Sequence, residues 1–192
     1  MTTRSRVRAI TVAVVTVAAS VVLGGCSGGS DDAAPRASAA PIGTAVRQTC
    51  DALLPTSALA VYGTTFRQDT DWRPATGTPA ATIARQRGRV CRFVATDDPA
   101  TTVTLAVAHL PEKSLTTLKD ALYERGGSVP TYRVEGYYAL ADGVGRADAF
   151  PDPYWITTES TLYTEPGGAQ PVVDAVRAAL QPSASATATP AG

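Results

Sequence analysis

Few side chains in this sequence could act as nucleophiles or metal ligands. The 192 residues include one histidine, His109, and three cysteines, Cys26, Cys50 and Cys91. A general base at His109 would need a nucleophile and an orienting acid, and no serine between positions 44 and 181 stands in a Gly-x-Ser-x-Gly motif. His109 shares the parity of Val107 on an alternating strand, which favours a partly buried structural histidine. We therefore predict no catalytic residue, no metal ligand and no cofactor.

The segment before Cys26 predicts how that thiol is used. Three arginines within the first eight residues precede an uncharged run at 9–25, the order found in secretory signal peptides. An uncleaved membrane anchor is the alternative, but this run is shorter than the roughly 20 apolar residues that span a bilayer. Leu23-Gly24-Gly25-Cys26 resembles the lipobox of bacterial lipoproteins. That resemblance implies a diacylglyceryl group on Cys26.

Lipidation at Cys26 would place the protein on the extracytoplasmic face of the cell membrane. Two or more acyl chains hold a protein stably in a bilayer. The whole chain has 17 basic and 17 acidic residues, and removal of the three signal arginines leaves 14 against 17, a net charge of −3. This balance argues against a nucleic-acid partner and predicts that the membrane is bound through the lipid.

Cys50 and Cys91 then remain as a pair in an oxidising compartment, where such pairs usually bridge. Their spacing is not that of a Cys-x-x-Cys redox motif. We predict a structural disulfide between them, which stabilises the fold by about 4 kcal/mol in a chain-entropy estimate.

Composition divides the chain into four parts. The stretch from Ser27 to Pro41 holds no large apolar side chain, so it cannot bury enough surface to offset the entropy of ordering. The last residues are similarly rich in Pro, Ala, Ser and Thr. The predicted parts are a lipoprotein signal peptide at 1–25, the lipidated Cys and a flexible tether at 26–43, a globular domain at 44–181, and a disordered tail at 182–192.

Periodicity predicts three helices and several strands within the domain. The helices are expected at 50–63, at 111–124 and from Pro171 onward, and the segment 70–88 is expected to be a loop. Turns are expected at Asp142-Gly143 and Glu159-Ser160. The strands are expected at 64–69, 90–95, 102–107, 132–140, 146–150, 154–158 and 161–164. The predicted fold class is α+β: a single domain with an antiparallel sheet, packed on one face by about three helices, and one disulfide.

Three short motifs add a family resemblance. They are Cys50-Asp51-Ala52-Leu53-Leu54, Cys91-Arg92-Phe93 and the Gly/Ala-rich stretch at 140–147. Together with the lipobox and the tether, they resemble actinobacterial cell-envelope lipoproteins that share a domain of unknown function. The resemblance implies a location and a fold, and it brings no activity.

Aromatic residues are concentrated late in the domain, with seven of them between positions 132 and 163. Tyr137, Tyr138, Tyr154 and Trp155 are the candidates for a ligand or partner surface, because Tyr and Trp combine an apolar body with a polar tip. Chain neighbours in a strand point to opposite sheet faces. Ordinary sheet packing is the alternative interpretation.

These observations favour a non-enzymatic binding or interaction module of the cell envelope. It is expected to be a monomer whose partner is an unknown envelope protein or a small ligand. One alternative is a hydrolase of envelope or cell-wall polymers, acting through carboxylates that the sequence cannot pair. Another is a lipid carrier, which would need a large apolar cavity.

Overall fold

Residues 40–126 and 128–181 are described by the computed structural model of this chain. The predicted signal peptide, Cys26, most of the tether and the C-terminal tail lie outside these residues, so the predictions about them stay predictions. In the described part of the chain, no helix combines the length and the apolar character that crossing a membrane requires.

Six strands form one antiparallel sheet in the spatial order β1-β2-β3-β6-β5-β4. β2–β3 and β4–β5 are hairpins, and β6 lies between β3 and β5. The strands are β1 (Phe66–Gln68), β2 (Arg89–Ala95), β3 (Thr102–His109), β4 (Gly136–Ala141), β5 (Val144–Ala149) and β6 (Tyr154–Ser160).

Two local predictions about the sheet are confirmed. Val103, Leu105 and Val107 alternate along β3 and are fully buried on one face. Asp142 and Gly143 form the β4–β5 turn, with φ of 52° and 76°. Two positive φ angles in a two-residue hairpin loop match the right-handed twist of the strands, which explains the Asp-Gly pair.

Helices pack on both faces of the sheet. α1, the first 3₁₀ helix and α4 lie against one face, and α2 and α3 lie against the other. The α+β fold class is confirmed, but the expectation of a single covered face is wrong, because Ala106, Ala108 and Trp155 form a second apolar cluster. The described helices are α1 (Cys50–Leu53), α2 (Pro79–Arg85), α3 (Glu112–Gly126), α4 (Pro166–Leu180) and 3₁₀ helices at Thr56–Tyr62 and Pro130–Tyr132.

The predicted helix at 50–63 is interrupted at Pro55. Leu54 is non-helical, with φ of −144° and ψ of 87°, because a following proline disfavours the helical region. α1 therefore ends at Leu53, and a 3₁₀ helix follows the proline. Gly63, at φ 77°, ends that helix as predicted.

The predicted loop at 70–88 contains α2, which is a correction. Thr78 Oγ1 accepts a hydrogen bond from Ala81 N at 3.2 Å, and Pro79 occupies the first turn. Thr-Pro is a common helix start, because the first-turn nitrogens have no hydrogen-bond partner within the helix and proline has no N–H to leave unpaired. Ile83 is fully buried against the sheet. This packing stabilises a helix of only seven residues.

Three predicted boundaries in the second half are wrong. β4 begins at Gly136, because the preceding residues form the 3₁₀ helix that contains Tyr132. β6 continues to Ser160, which pairs with Val103 of β3, so the turn at Glu159-Ser160 and the strand at 161–164 are absent. α4 begins at Pro166 and runs through Pro171, which was expected to be its start.

The chain enters the domain beside β3. Thr44 forms an isolated antiparallel bridge with His109, and Gly43 N donates to Gln86 Oε1 at 3.3 Å. A Cβ at position 43 would collide with the carbonyl oxygen of Gln86, so only glycine fits. His109 is half-buried against Tyr154, with ring centroids 5.0 Å apart, which confirms its predicted structural placement.

We call the face under α1 and α4 the disulfide face. The predicted bridge between Cys50 and Cys91 is confirmed and ties α1 to β2, with Cα atoms 5.8 Å apart. Buried hydroxyls on this face have partners: Tyr132 Oη donates to Pro166 O at 3.0 Å, and Tyr62 Oη to Gly168 O at 2.7 Å. Burial raises the pKa of Tyr62 to about 12, so this hydroxyl stays protonated at neutral pH.

Candidate functional site

The opposite face, under α2 and α3, carries a row of polar side chains across four strands; we call it the groove face. Strand register places Arg92 beside Thr104, Thr104 beside Glu159, and Glu159 beside Arg146. Directly opposed residues in antiparallel strands have Cβ atoms about 5 Å apart. These four residues, the polar row, are therefore neighbours in space although they are distant in sequence.

Asp148 lies next to the polar row and is 2% exposed. Its Oδ1 accepts a hydrogen bond from Trp155 Nε1 at 2.9 Å, and its Oδ2 accepts one from Arg146 Nε at 2.9 Å. A buried carboxylate is tolerated when it is paired and hydrogen-bonded in this way. Asp148 thus holds Arg146 and Trp155 in fixed orientations on the groove face.

Two buried polar atoms on the groove face have no hydrogen-bond partner among the described residues. They are Arg92 Nε and Thr157 Oγ1. Thr157 is 3% exposed and is the direct cross-strand neighbour of Asp148. Arg92 lies over the ring of Trp72, with Cζ 5.7 Å from the ring centroid. Buried groups left unpaired are rare in native proteins and need an explanation.

An open groove runs between α3 and this face of the sheet. It consists of two adjoining cavities of about 330 and 440 Å³, which share Leu122, Arg125, Arg146 and Asp148 as lining residues. Both volumes fall in the range of about 300–1,000 Å³ that is typical of small-molecule sites. We call this the α3 groove.

The α3 groove has a charged end and an apolar end. Glu159, Arg146 and Asp148 line the charged end, where β5 and β6 pair. Leu122 of α3 and Val144 of the β4–β5 hairpin line the apolar end, together with Ala139 and Ala141. The groove therefore offers different chemistry at its two ends.

Glu159 is half-buried in this groove, and its pKa lies above the ordinary value of 4.5. Burial is the main cause, the nearby Asp148 carboxylate adds to it, and Arg146 opposes it. Burial disfavours the charged form of a carboxyl group. Glu159 consequently holds its proton more readily than a solvated glutamate.

Tyr137 forms one wall of the groove and is itself held in place. Its hydroxyl donates to Glu135, which also pairs with Lys119 at 3.0 Å. The Tyr137 ring meets Phe150 edge to face, with centroids 5.9 Å apart. The wall is therefore rigid and is anchored to α3 through Lys119.

The structure separates the four aromatic candidates. Tyr137 and Trp155 lie on the groove face, where they belong to the second apolar cluster. Tyr138 and Tyr154 pack against the core of the disulfide face, and Tyr138 Oη donates to Tyr163 O at 2.6 Å. The opposite orientation of chain neighbours is as predicted, so the four side chains do not form one surface.

A second cleft lies on the other side of the domain, with a volume of about 780 Å³. Tyr154, Gln48 and Arg177 line it. Arg177 Nε is also without a partner among the described residues, but Arg177 Nη1 pairs with Asp174 at 3.2 Å. Within the described part of the chain, no buried carboxylate like Asp148 lines this cleft, so it is the weaker candidate.

The sequence analysis missed the polar row, Asp148 and Thr157. One signal was available: Arg92 stands between Cys91 and Phe93 in an apolar strand, and charged or hydroxyl residues alternate in β5 and β6. A sheet covered on one face would leave those positions exposed to solvent. Only the strand register shows that they meet.

Within residues 40–126 and 128–181, no three His, Cys, Asp or Glu side chains come together as metal ligands would. The charged groups of the α3 groove instead include two arginines, Arg125 and Arg146. Guanidinium groups recognise carboxylates and phosphates. Recognition by hydrogen bonds and charge is the chemistry that this arrangement can perform.

Comparison of the chain with protein-family models, with curated proteins and with solved structures gives no match.

Proposed function

We propose that the protein is a lipoprotein anchored to the extracytoplasmic face of the cell membrane, whose domain binds a small ligand in the α3 groove without transforming it. One observation carries the binding role: Thr157 Oγ1 is buried and unpaired among the described residues, and its neighbours Trp155, Glu159 and Asp148 all line the groove. A buried donor or acceptor without a partner destabilises the fold by about 1–3 kcal/mol. A ligand that reaches this hydroxyl from the groove recovers that free energy.

The membrane anchor is supported by the sequence before the domain. Leu23-Gly24-Gly25-Cys26 resembles a lipobox, and the tether at 26–43 would hold the domain clear of the lipid headgroups. In this proposal the protein is a monomer, and the family of actinobacterial envelope lipoproteins is the one to which it belongs. Mass spectrometry of the N-terminal peptide tests the anchor, because an unmodified Cys26 would contradict it.

The binding role is tested with a pair of neighbouring variants. Thr157→Val removes the unpaired hydroxyl on the groove face, whereas Thr158→Val removes a hydroxyl that is bonded to Tyr163 on the disulfide face, at 3.0 Å. The protein is purified from membranes of its host, and its bound small molecules are measured by native mass spectrometry. We expect ligand in the wild type and in Thr158→Val, and a clear loss in Thr157→Val.

Ligand-free wild-type protein from the host membrane would contradict the binding role. Equal ligand content in the two threonine variants would show that binding occurs elsewhere, for instance in the cleft beside Arg177. Both results are informative because neither substitution changes the charge or the approximate size of the side chain.

A hydrolase acting on envelope polymers is the second candidate. It is favoured by the placement of Asp148 and Glu159 in one groove, as diagonal neighbours on paired strands. Such neighbours are about 7–8 Å apart at Cα, close to the separation of carboxylate pairs in glycosidases. Both oxygens of Asp148, however, already accept hydrogen bonds from the protein. This pairing weakens the case for Asp148 as a base or nucleophile.

Glu159→Gln separates these two candidates. A hydrolase that uses Glu159 as its acid loses most of its rate on cell-wall polymer, whereas a binding module shows no turnover before or after the substitution. The released reducing sugar or peptide is measured. A lipid carrier, the third possibility, is disfavoured by the charged end of the groove.

A further inference from the structure

The charged end of the α3 groove has an excess of unused donors. Arg146 Nε is bound to Asp148, which leaves its two terminal nitrogens, and its side chain is 26% exposed. Arg125 lines both cavities and bonds through Nε to Ala121 O at 2.9 Å, so its terminal nitrogens also remain. Each guanidinium retains the geometry for a charge-assisted bond.

The charged side chains that line the groove are Arg125, Arg146, Asp148 and Glu159, two of each sign. Asp148 is neutralised by its ion pair with Arg146. Glu159 is the remaining acid, and burial weakens its tendency to ionise. Arg125 has no carboxylate hydrogen-bonded to it in the described part of the chain. The free donors of Arg125 and Arg146 are therefore the groups that an anionic head would bind.

The other end of the groove is lined by apolar side chains. Leu122 and Tyr137 form buried walls, and Ala139, Ala141 and Val144 continue the apolar surface to the mouth. Val144 is 38% exposed at this mouth. Covering such a surface with an apolar group is favourable by about 25 cal/mol per Å².

We infer that the ligand of the α3 groove is a small amphiphilic anion, with a carboxylate or phosphate head beside Arg146 and Arg125 and an apolar body against Leu122 and Val144. This inference rests on the proposed binding function and names its ligand class. The head occupies the end where guanidinium donors remain, and the body covers the apolar walls. Thr157, the cross-strand neighbour of Asp148, is buried on the same face.

The test uses four probes that vary the head and the body separately. Octanoate carries both features, octanol lacks the charge, octylammonium reverses it, and acetate lacks the body. Each is titrated into the chain from Cys26 to Gly192 with Cys26→Ser, which excludes competition from attached acyl groups. Amide chemical shifts of β5 and β6 locate the binding, and calorimetry gives the Kd.

We expect octanoate to bind at least about tenfold more tightly than octanol, because a hydrogen bond to a charged group is lost in the alcohol. Acetate is expected to be weaker by at least about tenfold, since the buried methylenes are lost. Octylammonium is expected to be the weakest of the three eight-carbon probes. Shift changes for octanoate are expected at Arg146, Asp148 and Glu159.

Variants then assign the charge effect to the groove. Arg125→Gln should weaken octanoate binding about threefold, the effect of one exposed ion pair. The control is Arg67→Gln, an exposed arginine on edge strand β1 outside the groove lining, which should leave the Kd unchanged. Glu159→Gln should tighten octanoate binding by about threefold, because a neighbouring like charge is removed.

Octanol binding as tightly as octanoate, or octylammonium binding more tightly, would overturn the ligand class while leaving the groove a binding site. Absence of binding by all four probes would also overturn it. The proposed function fails separately, when the wild-type protein from host membranes carries no ligand.

Discussion

The disulfide face and the groove face of the same sheet differ in how their buried polar groups are paired. Thr157 and Thr158 are chain neighbours on β6, 3% and 1% exposed. Thr158 Oγ1 is within hydrogen-bonding distance, 3.0 Å, of Tyr163 Oη. Thr157 Oγ1 has no partner among the described residues. The two threonines therefore differ in whether the fold supplies a partner for the hydroxyl.

This difference suggests that stability and function are assigned to opposite sides of one sheet. The disulfide face contains the larger apolar cluster, the bridge and the hydrogen-bonded tyrosines. The groove face combines a smaller apolar cluster with the polar row. Because side chains alternate along each strand, the two sets can vary independently. Four mutational tests examine this assignment, from the largest expected effect to the smallest.

Loss of the disulfide should have the largest effect. Cys50→Ala with Cys91→Ala opens a loop with a sequence separation of 41 residues, and the free energy of unfolding should fall by about 4 kcal/mol. Urea denaturation measures this. Ligand binding by the fraction that remains folded should be unchanged, and a loss of binding at full secondary structure would contradict the separation of the two faces.

Trp155→Phe should have the next largest effect. It removes the Nε1 donor of a buried carboxylate, Asp148, and should lower the free energy of unfolding by about 1–3 kcal/mol. Trp72→Phe is the matched control, because Trp72 is only partly buried and contacts Arg92 through its ring. Equal losses in the two variants would show that the bond to Asp148 contributes little.

The threonine pair should give changes of opposite sign in the ligand-free protein. Thr158→Val breaks the interaction with Tyr163 and should destabilise the fold by about 1 kcal/mol. Thr157→Val removes a buried hydroxyl without a partner and should be neutral or stabilise by up to about 1 kcal/mol. Thermal denaturation of the two variants compares them directly. A clear destabilisation by Thr157→Val would indicate that the hydroxyl has a structural role.

Glu159→Gln should give the smallest effect, and it depends on pH. The pKa of Glu159 is raised in the folded protein, so the folded state binds more protons than the unfolded state above pH 4.5. The wild-type free energy of unfolding should therefore decrease as pH rises from 4.5 through the folded pKa. Glu159→Gln lacks this term and should be more stable at pH 7 by about 0.5 kcal/mol. The wild-type minus variant difference, measured across pH, isolates it.

The disulfide face follows closely from sequence patterns. Alternation in β3 identified Val103, Leu105 and Val107, and Asp142-Gly143 identified the hairpin turn. Cys50 and Cys91 were paired by compartment and number. These are local or compositional signals, so no three-dimensional register was needed to use them.

The groove face could not be predicted in the same way. Arg92, Thr104, Glu159 and Arg146 become neighbours only through the register of four strands. The expectation that helices cover only one face of the sheet also implied that these side chains are exposed to solvent. α2 was missed because Pro79 was interpreted as a loop residue. Pairing between strands that are distant in sequence thus brings the site residues together, whereas local sequence patterns identify most of the core.

The contacts of Gly43 and Thr44 determine which strand would bear a pulling force applied to the segment before the domain. Thr44 is bridged to His109 of β3, which lies between β2 and β6, and Gly43 is bonded to Gln86 after α2. A pull from the membrane side would therefore load an interior strand with hydrogen-bonded neighbours on both sides. The edge strands β1 and β4, which could be peeled away one bond at a time, would be spared. With the proposed lipid anchor, a load on the tether would reach the centre of the sheet before its edges.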